Sequence, residues 1–168
     1  AFRYPRGNGI GVELPNIKET LQIGKGRLIL QGKHIAILNF GARLTECKKA
    51  SDILKKKGIS TSIFDARFSK PLDEQSIIEL ASSHEAILTI EEGSVGGFGS
   101  HVSKLLSERG FFDKGLKFRP IFFPDVFINH GKPEQQNSEC GVDSEGIIKS
   151  ALGALGIATP AKFSLERA

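Results

Sequence analysis

The stretch His34-Ile35-Ala36-Ile37-Leu38-Asn39-Phe40-Gly41 decides the fold. It is a short, almost unbroken apolar run closed by glycine, the pattern of a strand buried on both faces. The next sixteen residues, Ala42 to Lys57, change period. Leu44, Cys47, Ala50, Ile53 and Leu54 recur at helical spacing with lysines opposite, and Gly58 stands where a C-terminal cap belongs. The alternation then repeats. Thr61 to Ala66 reads as a strand, Asp73 opens a helix after Pro71, and Ala86 to Ile90 reads as a strand. A glycine-rich run, Gly93 to Ser100, leads to a helix expected over His101–Arg109. Leu116 to Phe123 is a further strand, with Pro120 pointing to an edge position because proline cannot donate to a ladder. A loop rich in Gly, Pro and Asn precedes a last helix that Asp143 begins and Gly156 ends.

Strands that alternate with helices and carry nearly continuous apolar runs predict an α/β fold. The expected form is a three-layer α/β/α sandwich around a mostly parallel sheet. In such sheets ligands sit beyond the carboxyl ends of the strands. Asn39, Asp65, Glu91-Glu92 and Asp125 are expected there. Upstream, Gly26 to Leu30 predicts a small strand and turn at the end of a Gly- and Pro-containing approach. The expected division is a linker at 1–33, the α/β domain at 34–156 and a tail at 157–168.

At 168 residues the chain has the length of one domain. Hydrophobic residues at 39% and charged residues at 25% exclude a disordered or membrane-spanning class, and no apolar run approaches a bilayer span. Two cysteines are too few for a disulfide framework, so a reducing compartment is expected. The net charge of +4 conceals +8 over residues 1–60 and −4 over the rest. The basic half still does not predict nucleic-acid binding. Its lysines at 48, 49, 55, 56 and 57 form one helix face, without the interleaved aromatics that single-strand binders stack on bases. The sequence has no methionine, and Phe2-Arg3-Tyr4-Pro5-Arg6-Gly7 reads as the middle of a longer protein.

Few residues carry chemistry of their own. The run Glu91 to Ser100 fits neither a dinucleotide fingerprint nor a P-loop, and its two leading carboxylates would repel a phosphate. It predicts glycines that admit close packing, at a turn or at a subunit contact with Phe98 as the buried apolar residue. The histidines at 34, 84, 101 and 130 and the two cysteines lack metal-ligand spacing. Cys47 sits on an apolar helix face, so a pair with His130 is outweighed by a buried, inert thiol. Asp65 and Glu91 could serve as an acid/base pair at strand ends, against the plainer expectation that they cap loops or pair with Arg67. Arg3 and Arg6 flank Tyr4-Pro5 before a Gly-Asn-Gly turn, and such fixed guanidinium forks suit carboxylate or phosphate.

Several of these motifs, taken together, closely resemble the C-terminal part of the 1-deoxy-D-xylulose-5-phosphate synthase family, within the transketolase superfamily. They are Phe2 to Gly9, Ile23 to Gly26, Ala36 to Gly41, Asp65 to Asp73, Glu91 to Ser100 and Pro124 to Gly131. The resemblance runs from residue 1 to about residue 156. Phe123 and Val142 stand where that family usually has leucine.

The resemblance implies a thiamine-diphosphate- and Mg2+-dependent homodimer. It condenses pyruvate with D-glyceraldehyde 3-phosphate, for isoprenoid, thiamine and pyridoxal synthesis. The expected location is the bacterial cytoplasm, or a plastid in a plant, with neither nucleic acid nor membrane as partner. Arg6 matches the family arginine that contacts the aldehyde's phosphate, and Arg3 is the second candidate. No catalytic, cofactor-binding or metal-binding residue carries over, because the family's diphosphate motif and activating glutamate have no match here. The chain by itself is therefore expected to be inactive.

Two other classes compete. One is an assembly or regulatory domain from the beta subunit of a 2-oxoacid dehydrogenase decarboxylase, which generally lacks the Tyr-Pro-Arg-Gly-Asn-Gly lead-in. The other is a free-standing small-molecule binding module.

Overall fold

A computed structural model describes residues 9, 11, 16 and 20–157. Five strands and five helices follow in chain order: β1 (Arg27–Leu30), β2 (Ile35–Phe40), α1 (Leu44–Lys56), β3 (Thr61–Asp65), α2 (Glu74–Ser83), β4 (Ala86–Glu91), α3 (Phe98–Glu108), β5 (Lys117–Ile121), α4 (Pro133–Glu139) and α5 (Ser144–Ala154). The strands form one sheet in the order β1-β3-β2-β4-β5. β2, β3, β4 and β5 run parallel, and β1 is antiparallel to β3. The expected mostly parallel sheet is present.

Side-chain alternation along β2 divides the core in two. Ile35 and Ile37 face one layer, where Cys47, Ala50 and Leu54 of α1 meet Ile147, Ala151 and Leu152 of α5. Ala36 and Leu38 face the other, packed with Ile77 and Ala81 of α2 and Phe98, Val102 and Leu106 of α3. This is the three-layer sandwich, and every residue of the interior strand β4 is buried.

Polar side chains hold the helix ends. Asp143 caps α5 by accepting from the Gly146 amide at 2.9 Å. Glu46 of α1 accepts from the Ser144 amide at 3.0 Å, tying the two helices of one layer together. Asp73 caps α2 and also accepts from the Gly26 amide at 3.1 Å and from Lys25 at 3.3 Å. Those two bonds anchor the residues before β1. A side chain at Gly26 would collide with the Phe64 ring, and one at Gly32 with the Thr61 backbone. The short strand expected near 26–30 is therefore part of the sheet, pairing with a strand more than thirty residues later.

Three details differ from the sequence reading. α3 starts at Phe98, not His101. The stretch after β5 contains the short helix α4, which begins at Pro133 and buries no residue. Phe98 is no contact patch: it is 1% exposed, with its ring stacked on Phe40 at 5.3 Å. Pro120 does lie in an edge strand, as its missing amide requires.

Candidate functional site

The chain leaves β2 for β3 on one side, then crosses back over β2 to β4 on the other. That reversal makes the carboxyl ends of β2 and β4 the topological switch point, where sheets of this kind open a ligand crevice. Its lips are Phe40 to Arg43 and Glu91 to Gly97.

Glu91, the last residue of β4, turns its carboxylate into the start of α3 and is only 5% exposed. One oxygen accepts from the Phe98 amide at 2.9 Å and the other from the Gly99 amide at 2.8 Å. These amides have no partner within the helix, and a carboxylate there also complements the helix dipole. The glycines are cut to this carboxylate. A Cβ at Gly97 would overlap Glu91 Oε2, and one at Gly93 would come within 2.8 Å of the same atom. At Gly99 a Cβ would lie 2.7 Å from Thr89 Oγ1. Gly96 takes φ +97, a conformation that L side chains rarely adopt. The expected close packing is therefore real, but the group that approaches is a side chain of this same turn.

Across the crevice Arg43 pairs with Glu92 at 2.6 Å. Both side chains are largely covered, at 18% and 29% exposure, so solvent screens the pair less than an open one. Asn39 is fully buried, donating to the Gly41 carbonyl at 3.0 Å. Cys47 lies behind it, with burial first and the charge of Glu46 second pushing its thiol up to about 12. It is no nucleophile at neutral pH. His130, by contrast, sits exposed in the loop after β5.

Asp65 and Glu91 end strands on opposite sides of β2, and each is already engaged. Asp65 pairs with Arg27 at 3.0 Å and, more loosely, with Arg67 at 3.9 Å. Arg67 itself takes φ 59, the left-handed conformation that costs an L residue roughly 1–2 kcal/mol. Asp125 is exposed in the loop after β5. The sequence expectation that these residues collect at one end of the sheet holds. The acid/base pair does not form.

Thiamine diphosphate and Mg2+ find no fit among the described residues. No group of three or more His, Cys, Asp or Glu among them could hold a metal ion. The α3 N-terminus, the natural diphosphate cradle at this crevice, already holds the Glu91 carboxylate. A separate open cleft of about 280 Å3 lies between the 69–72 loop and α3. Its lining includes Lys70, Glu74 and His101, together with Lys104 and Glu108, which pair with each other along α3. Arg3 and Arg6 lie outside the described residues.

What sequence reasoning missed here is the partnership of Glu91 with residues 98 and 99, and the Arg43–Glu92 bridge. The first had a signal: a carboxylate followed by glycines just before a helix is also the pattern of a self-supplied cap.

Fold and site together define a three-layer α/β domain in which Glu91 occupies the α3 N-terminus at the switch point. The chain belongs to the transketolase C-terminal domain family, whose model matches residues 24–147. Among solved structures it is similar to a split-gene transketolase, an inactive beta4 tetramer, with 25% identity and a TM-score of 0.76. That match covers 86% of this chain and 46% of the other. It also shares its fold with the transketolase of Campylobacter jejuni subsp. jejuni, at 13% identity and a TM-score of 0.55. There the match covers 77% of this chain and 18% of the other. The chain thus spans less than half the length of either relative.

Proposed function

We propose that this chain is the C-terminal part of a thiamine-diphosphate-dependent 1-deoxy-D-xylulose-5-phosphate synthase. The observation that carries the reading is the sequence Tyr4-Pro5-Arg6-Gly7-Asn8-Gly9 placed just ahead of a transketolase C-terminal domain. In the reaction pyruvate loses its carboxylate as carbon dioxide. Its carbonyl carbon forms a new bond to the aldehyde carbon of D-glyceraldehyde 3-phosphate, and the aldehyde oxygen takes up a proton. The cofactor and Mg2+ belong to preceding domains of a homodimer. Arg6 holds the aldehyde's phosphate, with Arg3 as a second contact, because a guanidinium fork matches phosphate oxygens in pairs.

The test is kinetic and uses the whole protein that carries this chain. Wild type converts pyruvate and D-glyceraldehyde 3-phosphate to 1-deoxy-D-xylulose 5-phosphate. Arg6→Ala removes one charge-assisted contact of about 1.5–3 kcal/mol, a roughly ten- to hundredfold loss in kcat/KM for the aldehyde. Decarboxylation of pyruvate survives. An unchanged aldehyde constant, with pyruvate affected instead, overturns the assignment of Arg6. Absence of the product from the wild type overturns the synthase reading.

A further inference from the structure

We propose that the loop over residues 124–130, with Val95 beside it, is the seat of the preceding domain of the same polypeptide. This rests on reading the chain as the last part of a longer synthase. The loop leaves β5 at the carboxyl end of the sheet, beside the switch-point crevice. It is pinned to the glycine-rich turn by the Phe123 amide, which donates to the Gly93 carbonyl at 2.9 Å. From that fixed base Val95, Val126 and Phe127 project bare, at 63%, 68% and 106% exposure. A Phe this exposed gains nothing from its position, whereas burial against a partner stabilises it. The backbone agrees. The amides of residues 125–128 donate to no acceptor among the described residues.

The size of the patch selects the occupant. A Phe offers on the order of 150–250 Å2, and two valines leave the total well short of the ~800 Å2 per partner of a standard association. Two copies of this chain meeting on that patch would have too little to hold them. A domain on the same polypeptide is present at an effective concentration in roughly the millimolar range, so a small patch suffices. The lengths allow it, since this chain spans 46% and 18% of the two solved relatives. The complementary surface is an apolar hollow for Phe127, rimmed by carbonyl acceptors for the amides of 125–128.

The test is hydrogen exchange of the full-length protein at low and at high concentration, read by mass spectrometry. The seated loop exchanges about ten- to a hundredfold more slowly than a bare one over 125–128, equally at both concentrations. Phe127→Ser, a change at a fully exposed position, returns these amides to the bare rate. Fast exchange in the wild type at both concentrations overturns the proposal. Slow exchange that appears only at high concentration also overturns it, and makes a second copy the occupant. Synthase activity measured on the same samples separates the two readings. Protection without product retires the synthase and keeps the seat; product without protection does the reverse.

Discussion

The carboxylate of Glu91 fills the space that a side chain at Gly97 would need. The two residues form one device: the acid supplies acceptors for the Phe98 and Gly99 amides, and the bare glycine lets it reach them.

Gly97→Ala therefore displaces Glu91 and loses at least one charge-assisted hydrogen bond, about 1.5–3 kcal/mol. At this chain length that lowers Tm by roughly 3–12 °C. The cost should also be coupled to Glu91. In the Glu91→Ala background, Gly97→Ala costs markedly less than in wild type. Denaturant melts of the four proteins check this, and strict additivity contradicts it.

Phe98→Ala opens a cavity under the stacked Phe40 ring and costs about 3–5 kcal/mol, as large-to-small changes in a packed core do. Because Phe98 is buried within its own chain, the variant keeps the oligomeric state of the parent wherever it remains folded. Sedimentation across a concentration series reads the second half of this prediction.

Phe98 also shows how far the sequence could be read. Strand and helix periods placed β2, β3, β4 and β5 and their covering helices, because a strand buried on both faces leaves a nearly unbroken apolar run. Asp73 and Asp143 announced their helices for a local reason, since an acid at a helix start accepts from an amide three residues on. The start of α3 was hidden because its cap comes from Glu91, seven residues upstream across glycines that carry no helical period. Without that partner Phe98 looked like a bare loop residue. β1 showed its strand character but not its place, because pairing with β3 is a long-range fact. α4 buries nothing and so left no apolar stripe to detect. The Arg43–Glu92 bridge joins two different connections, which no local spacing reveals.

Asp73 gives the pH dependence. Burial acts to raise its pKa, but the Gly26 and Ser76 amides and Lys25 outweigh it and hold the carboxyl below the ordinary 3.8. A depressed carboxyl stabilises the fold above its unfolded pKa, and that stability is lost as pH falls through the lower folded value. Asp73→Asn should therefore destabilise most near neutral pH, by about 1–3 kcal/mol for a cap with further bonds. The gap to wild type closes as the pH drops below about 4. Urea melts at neutral and acidic pH check it, and a gap that widens in acid contradicts it.

The two thiols should separate cleanly. Cys47 is buried, its thiol pushed up to about 12, whereas Cys140 is only half-buried, its thiol raised by burial and by the Glu139 charge. At mildly alkaline pH a thiol-specific reagent labels Cys140 in the folded protein and Cys47 only after denaturant is added. Peptide mass mapping reads which site is modified.

The central claim is that Glu91 occupies the α3 N-terminus, the place where a diphosphate would bind in this domain, so that in the proposed synthase the cofactor is held by other domains. Calorimetric titration of this chain with thiamine diphosphate and Mg2+ tests that most directly. The account predicts no saturable heat from a chain whose melting confirms that it is folded. Saturable binding in the micromolar range would contradict it.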